Sequence, residues 1–180
     1  MIKIFRFRKK SYSRKELELF HFLGRNPLFK KLDYKELFLF ASNMHLRTYN
    51  ENEVIFFRND PSNALYLLQS GHVDLKIDID NSNKDFERLH RVPEGSAFGE
   101  NALLEESHRV YHAFASSPNT SLYVIPAVNI HEIFSSNPAI KAKMLEAFGE
   151  IYDNFAQSLF RAYRSSYGFF SLDEIYNRQR

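Results

Sequence analysis

Apolar residues change their spacing twice along this chain, and each change predicts a switch in the kind of element. Ser13-Arg14-Lys15-Glu16 has the serine-then-glutamate spacing of a helix capping box, and Leu17, Phe20 and Leu23 follow on one side of a short helix. Asp33-Tyr34-Lys35-Glu36 repeats that logic ahead of Leu37, Phe38 and Ala41, which predicts a second helix running to about Asn43. From about residue 45 the pattern becomes short β-type runs separated by turn residues. The predicted strands are 45–49, 53–57, 64–69, 72–79, 86–91, 109–116 and 120–125. Asn50-Glu51-Asn52, Asn59-Asp60-Pro61, Gly71, Asp80-Asn81-Ser82-Asn83 and Pro93-Glu94-Gly95 punctuate them. In 72–79 the alternation is plain: Val73, Leu75, Ile77 and Ile79 share one face, and His72, Asp74, Lys76 and Asp78 the other.

Beyond Pro126 the period is helical again. Asn137-Pro138 reads as a cap with proline at the first helical position. Met144, Phe148, Ile151, Phe155 and Leu159 then recur at steps of four, three, four and four, widened by Leu145, Tyr152 and Phe160. The pattern predicts one helix of about 25 residues from 138. Its stripe suits core packing, a lid over a ligand, or the seam of a homodimer. The fold class that follows is mainly β: an antiparallel β-barrel or jelly roll with N-terminal helices and a long C-terminal helix.

Composition narrows the classes. A chain of 180 residues, 44% apolar with 18 Phe and 10 Tyr, buries enough surface to fold as one domain. It has no cysteine, which excludes disulfides and thiolate chemistry. No apolar run is long enough to predict a membrane span, and MIKIFRFRKK offers no signal-peptide core, so a cytoplasmic location is expected. The net charge of +2 is unevenly spread. Lys3, Arg6, Arg8, Lys9, Lys10, Arg14 and Lys15 put seven positive charges and no negative one into residues 1–15; removing those seven leaves −5 for the rest. The body is mildly acidic, so sequence-specific DNA binding of its own is not expected.

The most informative stretch is FGENALLEESHR, Phe98 to Arg109. Phe-Gly-Glu, a short apolar helical turn and an arginine nine residues after the glutamate resemble the phosphate-binding cassette of the cyclic-nucleotide-binding family. The resemblance extends to NPLFKKLDYKELFLFA (26–41) as the family's leading helix. It takes in Asp60, Tyr66 and Gly71 within 50–77, RVPEGSAFGE (91–100) before the cassette, and SLYVIPAVNIHEIFSSNPAI (121–140) as the hinge. About 26–165 is covered. The relatives meant are of the catabolite-activator and protein-kinase-A-regulatory-subunit kind, here without a C-terminal helix-turn-helix.

The resemblance implies a ligand site at Phe98, Gly99, Glu100, Asn101, Ala102, Arg109, Val110 and Tyr111. It assigns Arg109 to the cyclic phosphate and Glu100 to the ribose 2′-hydroxyl. The residue chemistry agrees. An arginine fork binds phosphate oxygens bidentately, an ionised carboxylate only accepts, and glycine lets backbone approach an anion. Arg109 and Glu100 also suit a structural ion pair in a domain without ligand. The sequence departs from the family pattern at Asn101, where a large aliphatic is usual, and at Val110, Tyr111 and His112, where small or hydroxyl residues are usual. Val110 has no hydroxyl, whereas guanine-preferring members often carry threonine there. The implied ligand is therefore cyclic AMP, with cyclic GMP the second candidate.

His108 and His112 on an extended strand stand about 13 Å apart, too far to share one metal ion, so no metal is expected. No motif predicts an enzyme. The expected organisation is a basic arm with a short helix (1–25), a barrel with its leading and hinge helices (26–136), a long helix (137–165) and a tail (166–180). The first function class is a stand-alone cyclic-nucleotide sensor acting through its hinge and C-terminal helix on an unidentified protein effector. The others are a ligand-free interaction dimer and a transcriptional regulator whose DNA contacts come from a partner, because about 15 residues after 165 cannot make a winged helix-turn-helix.

Overall fold

The computed structural model describes residues 11–78 and 86–167. The basic stretch 1–10, Ile79, the turn 80–83 and most of the tail, 168–180, lie outside the described residues.

Both capping boxes form. Ser13 and Asp33 each accept from the backbone N–H of the glutamate three residues on, while Glu16 and Glu36 reach back to the cap N–H. They open α1 (Arg14–Gly24) and α2 (Tyr34–Ala41). Phe20 and Leu23 are buried as the period requires, whereas Leu17 stays largely exposed. Eight antiparallel strands follow: β1 (His45–Tyr49), β2 (Val54–Phe56), β3 (Ala64–Ser70), β4 (Val73–Asp78), β5 (Phe86–Val92), β6 (Ala97–Phe98), β7 (His112–Ala115) and β8 (Thr120–Pro126). They form two four-stranded sheets, β1-β8-β3-β6 and β2-β7-β4-β5, facing each other as a jelly roll. Two helices close the order, α3 (Ala127–Ser136) and α4 (Pro138–Tyr167).

Two cores result, and β3 and β8 serve both. Between the sheets lie Tyr49, Phe56, Leu68, Val73, Leu75, Phe98, Leu122 and Val124. On the outer side of the first sheet, Leu65, Leu67 and Ile125 pack against Phe20, Phe29, Phe40, Ile130, Phe134 and Met144 from the helices. A strand covered on both faces reads as a continuous apolar run, and ALYLLQS is one. Gly71 turns β3 into β4 at φ +92°, where a Cβ would press against Thr120 at 2.9 Å.

The structure revises several predicted boundaries and adds the short strand β6, which the sequence pattern did not predict. The strand expected over 109–116 begins only at His112, and the chain from Ser107 to Arg109 instead binds loop 59–62: Arg109 N–H to Asp60 O (2.9 Å), Asn59 N–H to Arg109 O (2.8 Å) and Ser62 N–H to Ser107 O (2.9 Å). The second helix stops at Ala41 rather than Asn43, and α4 runs 30 residues rather than about 25. The apolar stripe of α4 divides. Met144 is buried and Phe148 and Ile151 pack in the helical core, but Phe155 is 64% and Leu159 56% exposed. Among the described residues no helix is long and apolar enough to cross a membrane.

Candidate functional site

The short strand β6 pairs with β3, setting Phe98 opposite Tyr66 and delivering Gly99 to the sheet edge. Gly99 adopts φ 72°, ψ 31°, left-handed backbone that favours glycine, and it opens the 3-10 turn Glu100–Leu103. A Cβ at Gly99 would lie 2.5 Å from Nη1 of Arg109, so the conformation favours glycine and any larger residue must displace the guanidinium. Phe98 is buried and stacks on Tyr66 with ring centroids 5.3 Å apart, while Ala102 and Leu103 sink into the helical core. Phe98 and Ala102 thus anchor the two ends of the turn.

Arg109 is the unusual residue. It is 3% exposed, and its guanidinium donates to the carbonyls of Gly99 (2.8 Å) and Ala64 (2.6 Å). It lies 4.2 Å from the ring centroid of Phe56 and 5.6 Å from that of Tyr66, a cation–π setting. Among the described residues its Nε has no hydrogen-bond partner. Among the described residues no carboxylate pairs with it, so the structural Arg109–Glu100 ion pair weighed from sequence does not form. Burial pulls its pKa below the ordinary arginine value. The charges of Glu100 and Asp60 act on it from beyond ion-pair distance and partly oppose that shift.

Glu100 bonds elsewhere. Tyr111 turns back into the cassette, where its hydroxyl accepts the Gly99 N–H (3.2 Å) and donates to Oε2 of Glu100 (3.3 Å). Burial raises the Glu100 carboxyl above its usual range, opposed by the backbone and Tyr111 hydrogen bonds. Burial, reinforced by the Glu100 charge, also pushes the Tyr111 phenol well above its usual value. Asn101 uses its carbonyl to hold Leu104 N–H and the Ser107 hydroxyl, and its side-chain oxygen accepts a long hydrogen bond (3.4 Å) from Tyr152 of α4. The Val110 side chain is 55% exposed. His112 is buried and bonded to Asp78 and to the Arg58 N–H.

The predicted cassette residues are therefore brought together around Gly99, with Val110 at the rim. Sequence reasoning missed Phe56 as the platform under Arg109, the Ala64 carbonyl and Tyr152. Phe56 alternated only as a strand residue, Tyr152 only as part of a helical stripe, and a carbonyl leaves no mark in sequence.

Comparison with known proteins agrees with this architecture. The family described as "Cyclic nucleotide-binding domain" matches residues 46–137, just over half of the chain. The global nitrogen regulator of Nostoc sp. is 32% identical over 102 residues, 56% of this chain and 44% of that protein. The cAMP-dependent protein kinase regulatory subunit of Eremothecium gossypii is 26% identical over 137 residues, 76% of this chain and 27% of that one. The chain spans less than half the length of both relatives. The crystal structure of the Thermus thermophilus catabolite activator protein superposes with a TM-score of 0.62 at 26% identity, covering 76% of this chain and 62% of that one. With the jelly roll, the glycine-opened turn and the buried arginine in one register, the chain belongs to the cyclic nucleotide-binding domain family.

Proposed function

We propose that this domain is a cytoplasmic cyclic-mononucleotide sensor, a regulatory module rather than an enzyme, with cyclic AMP as its preferred ligand. Arg109 takes the cyclic phosphate and Glu100 the ribose 2′-hydroxyl. Backbone N–H groups near Gly99–Asn101 and at Val110 complete the anion site. The observation that carries this reading is the Arg109 guanidinium: buried and, among the described residues, with no carboxylate within ion-pair distance and no hydrogen-bond partner for Nε. Keeping such a cation without an anion is costly, and a phosphodiester supplies the missing charge and acceptors. The protein-kinase relative bears cyclic-AMP dependence in its name, which favours the same ligand.

The output runs through α3 and α4. Ala102 and Leu103 of the turn share a core with Ile133, Ile140 and Met144, and Asn101 touches Tyr152. A change in the turn on ligand binding therefore strains the packing of both helices, and α4 presents Phe155 and Leu159 as the seam of a homodimer or the surface for a protein effector. One observation favours a second reading, a ligand-free interaction domain: the Tyr111 hydroxyl already satisfies Gly99 N–H and Glu100.

Isothermal titration with cyclic AMP and cyclic GMP decides between them. The sensor reading expects binding by the wild type, weakened by Arg109→Ala about 30-fold to several thousand-fold, the usual effect of removing one partner of a buried charge-assisted contact. No heat from a correctly folded wild type at millimolar cyclic AMP would leave the interaction domain.

A further inference from the structure

Tyr111 follows Arg109 by two positions, and its side chain points into the cassette rather than out to solvent. Its ring rests against Phe56, centroids 5.9 Å apart, and its hydroxyl bridges Gly99 N–H and the Glu100 carboxylate. A phenol hydroxyl and a ribose hydroxyl have the same inventory, one hydrogen to donate and lone pairs to accept. Both would use Glu100 as acceptor, and Oε2 of Glu100 is already engaged by the tyrosine.

We propose that Tyr111 is a specificity-determining residue whose hydroxyl stands in for the ribose 2′-hydroxyl, so that the wild-type site scarcely distinguishes ribo- from 2′-deoxyribo-cyclic nucleotides. The proposal rests on the cyclic-mononucleotide reading of the site. A ribonucleotide that reaches Glu100 must displace the phenol hydroxyl, exchanging one hydroxyl for another with little net gain. A 2′-deoxy ligand leaves the tyrosine bonded and still meets Arg109. Removing only the phenol oxygen takes one hydrogen-bond partner from the Gly99 N–H and one from the partly buried Glu100 carboxylate, which keeps its backbone hydrogen bonds. A site with unpaired buried polar groups rejects a ligand lacking the matching hydroxyl far more strongly than one whose groups are already paired.

The experiment titrates wild type and Tyr111→Phe with cyclic AMP and with 2′-deoxy cyclic AMP. Wild type should bind the two within about threefold, and Tyr111→Phe should favour cyclic AMP by about tenfold or more, the effect of one hydrogen bond to a charged group. A wild-type preference for cyclic AMP beyond about thirtyfold, or a ratio unchanged by Tyr111→Phe, overturns the proposal while leaving cyclic-nucleotide binding intact. Binding of neither nucleotide by either protein sinks the sensor reading and this inference with it. If Tyr111→Phe does not fold, the wild-type ratio decides alone, with amide exchange as the second measurement. The Gly99 amide should exchange slowly in the ligand-free wild type, and exchange at the rate of open backbone overturns the assignment.

Discussion

Replacing Arg109 with methionine separates two kinds of buried arginine, one kept for the fold and one kept for an anion. Methionine approximates the length of the side chain and removes the charge. The ligand-free domain loses two hydrogen bonds, to the carbonyls of Gly99 and Ala64, and a cation–π contact over Phe56. Hydrogen bonds to a charged group are worth about 1.5–3 kcal/mol each, and the ring contact up to about 2 kcal/mol when desolvated. Against this, the substitution relieves a desolvation penalty of several kcal/mol for an ion with no carboxylate within ion-pair distance among the described residues. The two sides nearly cancel, so Arg109→Met should unfold within about 2 kcal/mol of wild type. Urea denaturation followed by circular dichroism measures the change, and titration with cyclic AMP on the same sample should show binding lost. A destabilisation above about 4 kcal/mol would refute the reasoning, because it would make Arg109 a structural residue whose charge the fold itself needs.

Gly99→Ala should act on both stability and binding. Left-handed backbone costs a non-glycine residue about 1–2 kcal/mol, and the added Cβ, 2.5 Å from Nη1 of Arg109, must push the guanidinium aside; a lower melting temperature with cyclic-AMP affinity falling as in Arg109→Ala is expected. Phe155→Asp should convert a dimer to monomers in light scattering without changing the urea midpoint, since Phe155 is 64% exposed. Phe148→Asp should destabilise the domain instead, because Phe148 packs in its core, and a wild type that is monomeric at tens of micromolar removes the dimer. Hydrogen bonds from Arg91 hold the Asp74 carboxyl below the usual carboxylate range. Its stabilisation is therefore complete above the unfolded carboxyl value of about 4 and is lost as pH falls through the lower folded value, so Asp74→Asn should flatten the decline of stability below about pH 4.

The local elements were written in the sequence because their causes are local. Ser13/Glu16 and Asp33/Glu36 cap their helices through atoms three residues apart, and Gly71 marks a turn that only glycine fits. The family resemblance likewise rested on spacing along the chain, Gly99 and Glu100 to Arg109, and the structure brings those residues together. What alternation could not reveal was the double duty of β3: Leu65 and Leu67 face the helices while Leu68 faces the second sheet, and a strand buried on both sides shows no period of two.

The sequence by itself determined the jelly roll with its flanking helices, the cassette and the identity of its ionisable residues. Only the tertiary structure decided the pairing among them. Arg109 could have met Glu100, as opposite charges nine residues apart suggest, but the backbone from Ser107 to Arg109 is bound to loop 59–62, and the guanidinium is directed onto Phe56 and two carbonyls. That leaves Glu100 to Tyr111. The stripe of α4 was similarly one pattern in sequence and two surfaces in space, buried through Met144 and exposed at Phe155 and Leu159. A period tells which side chains share a face of a helix; how far the neighbouring core extends along that face is set by residues distant in the chain.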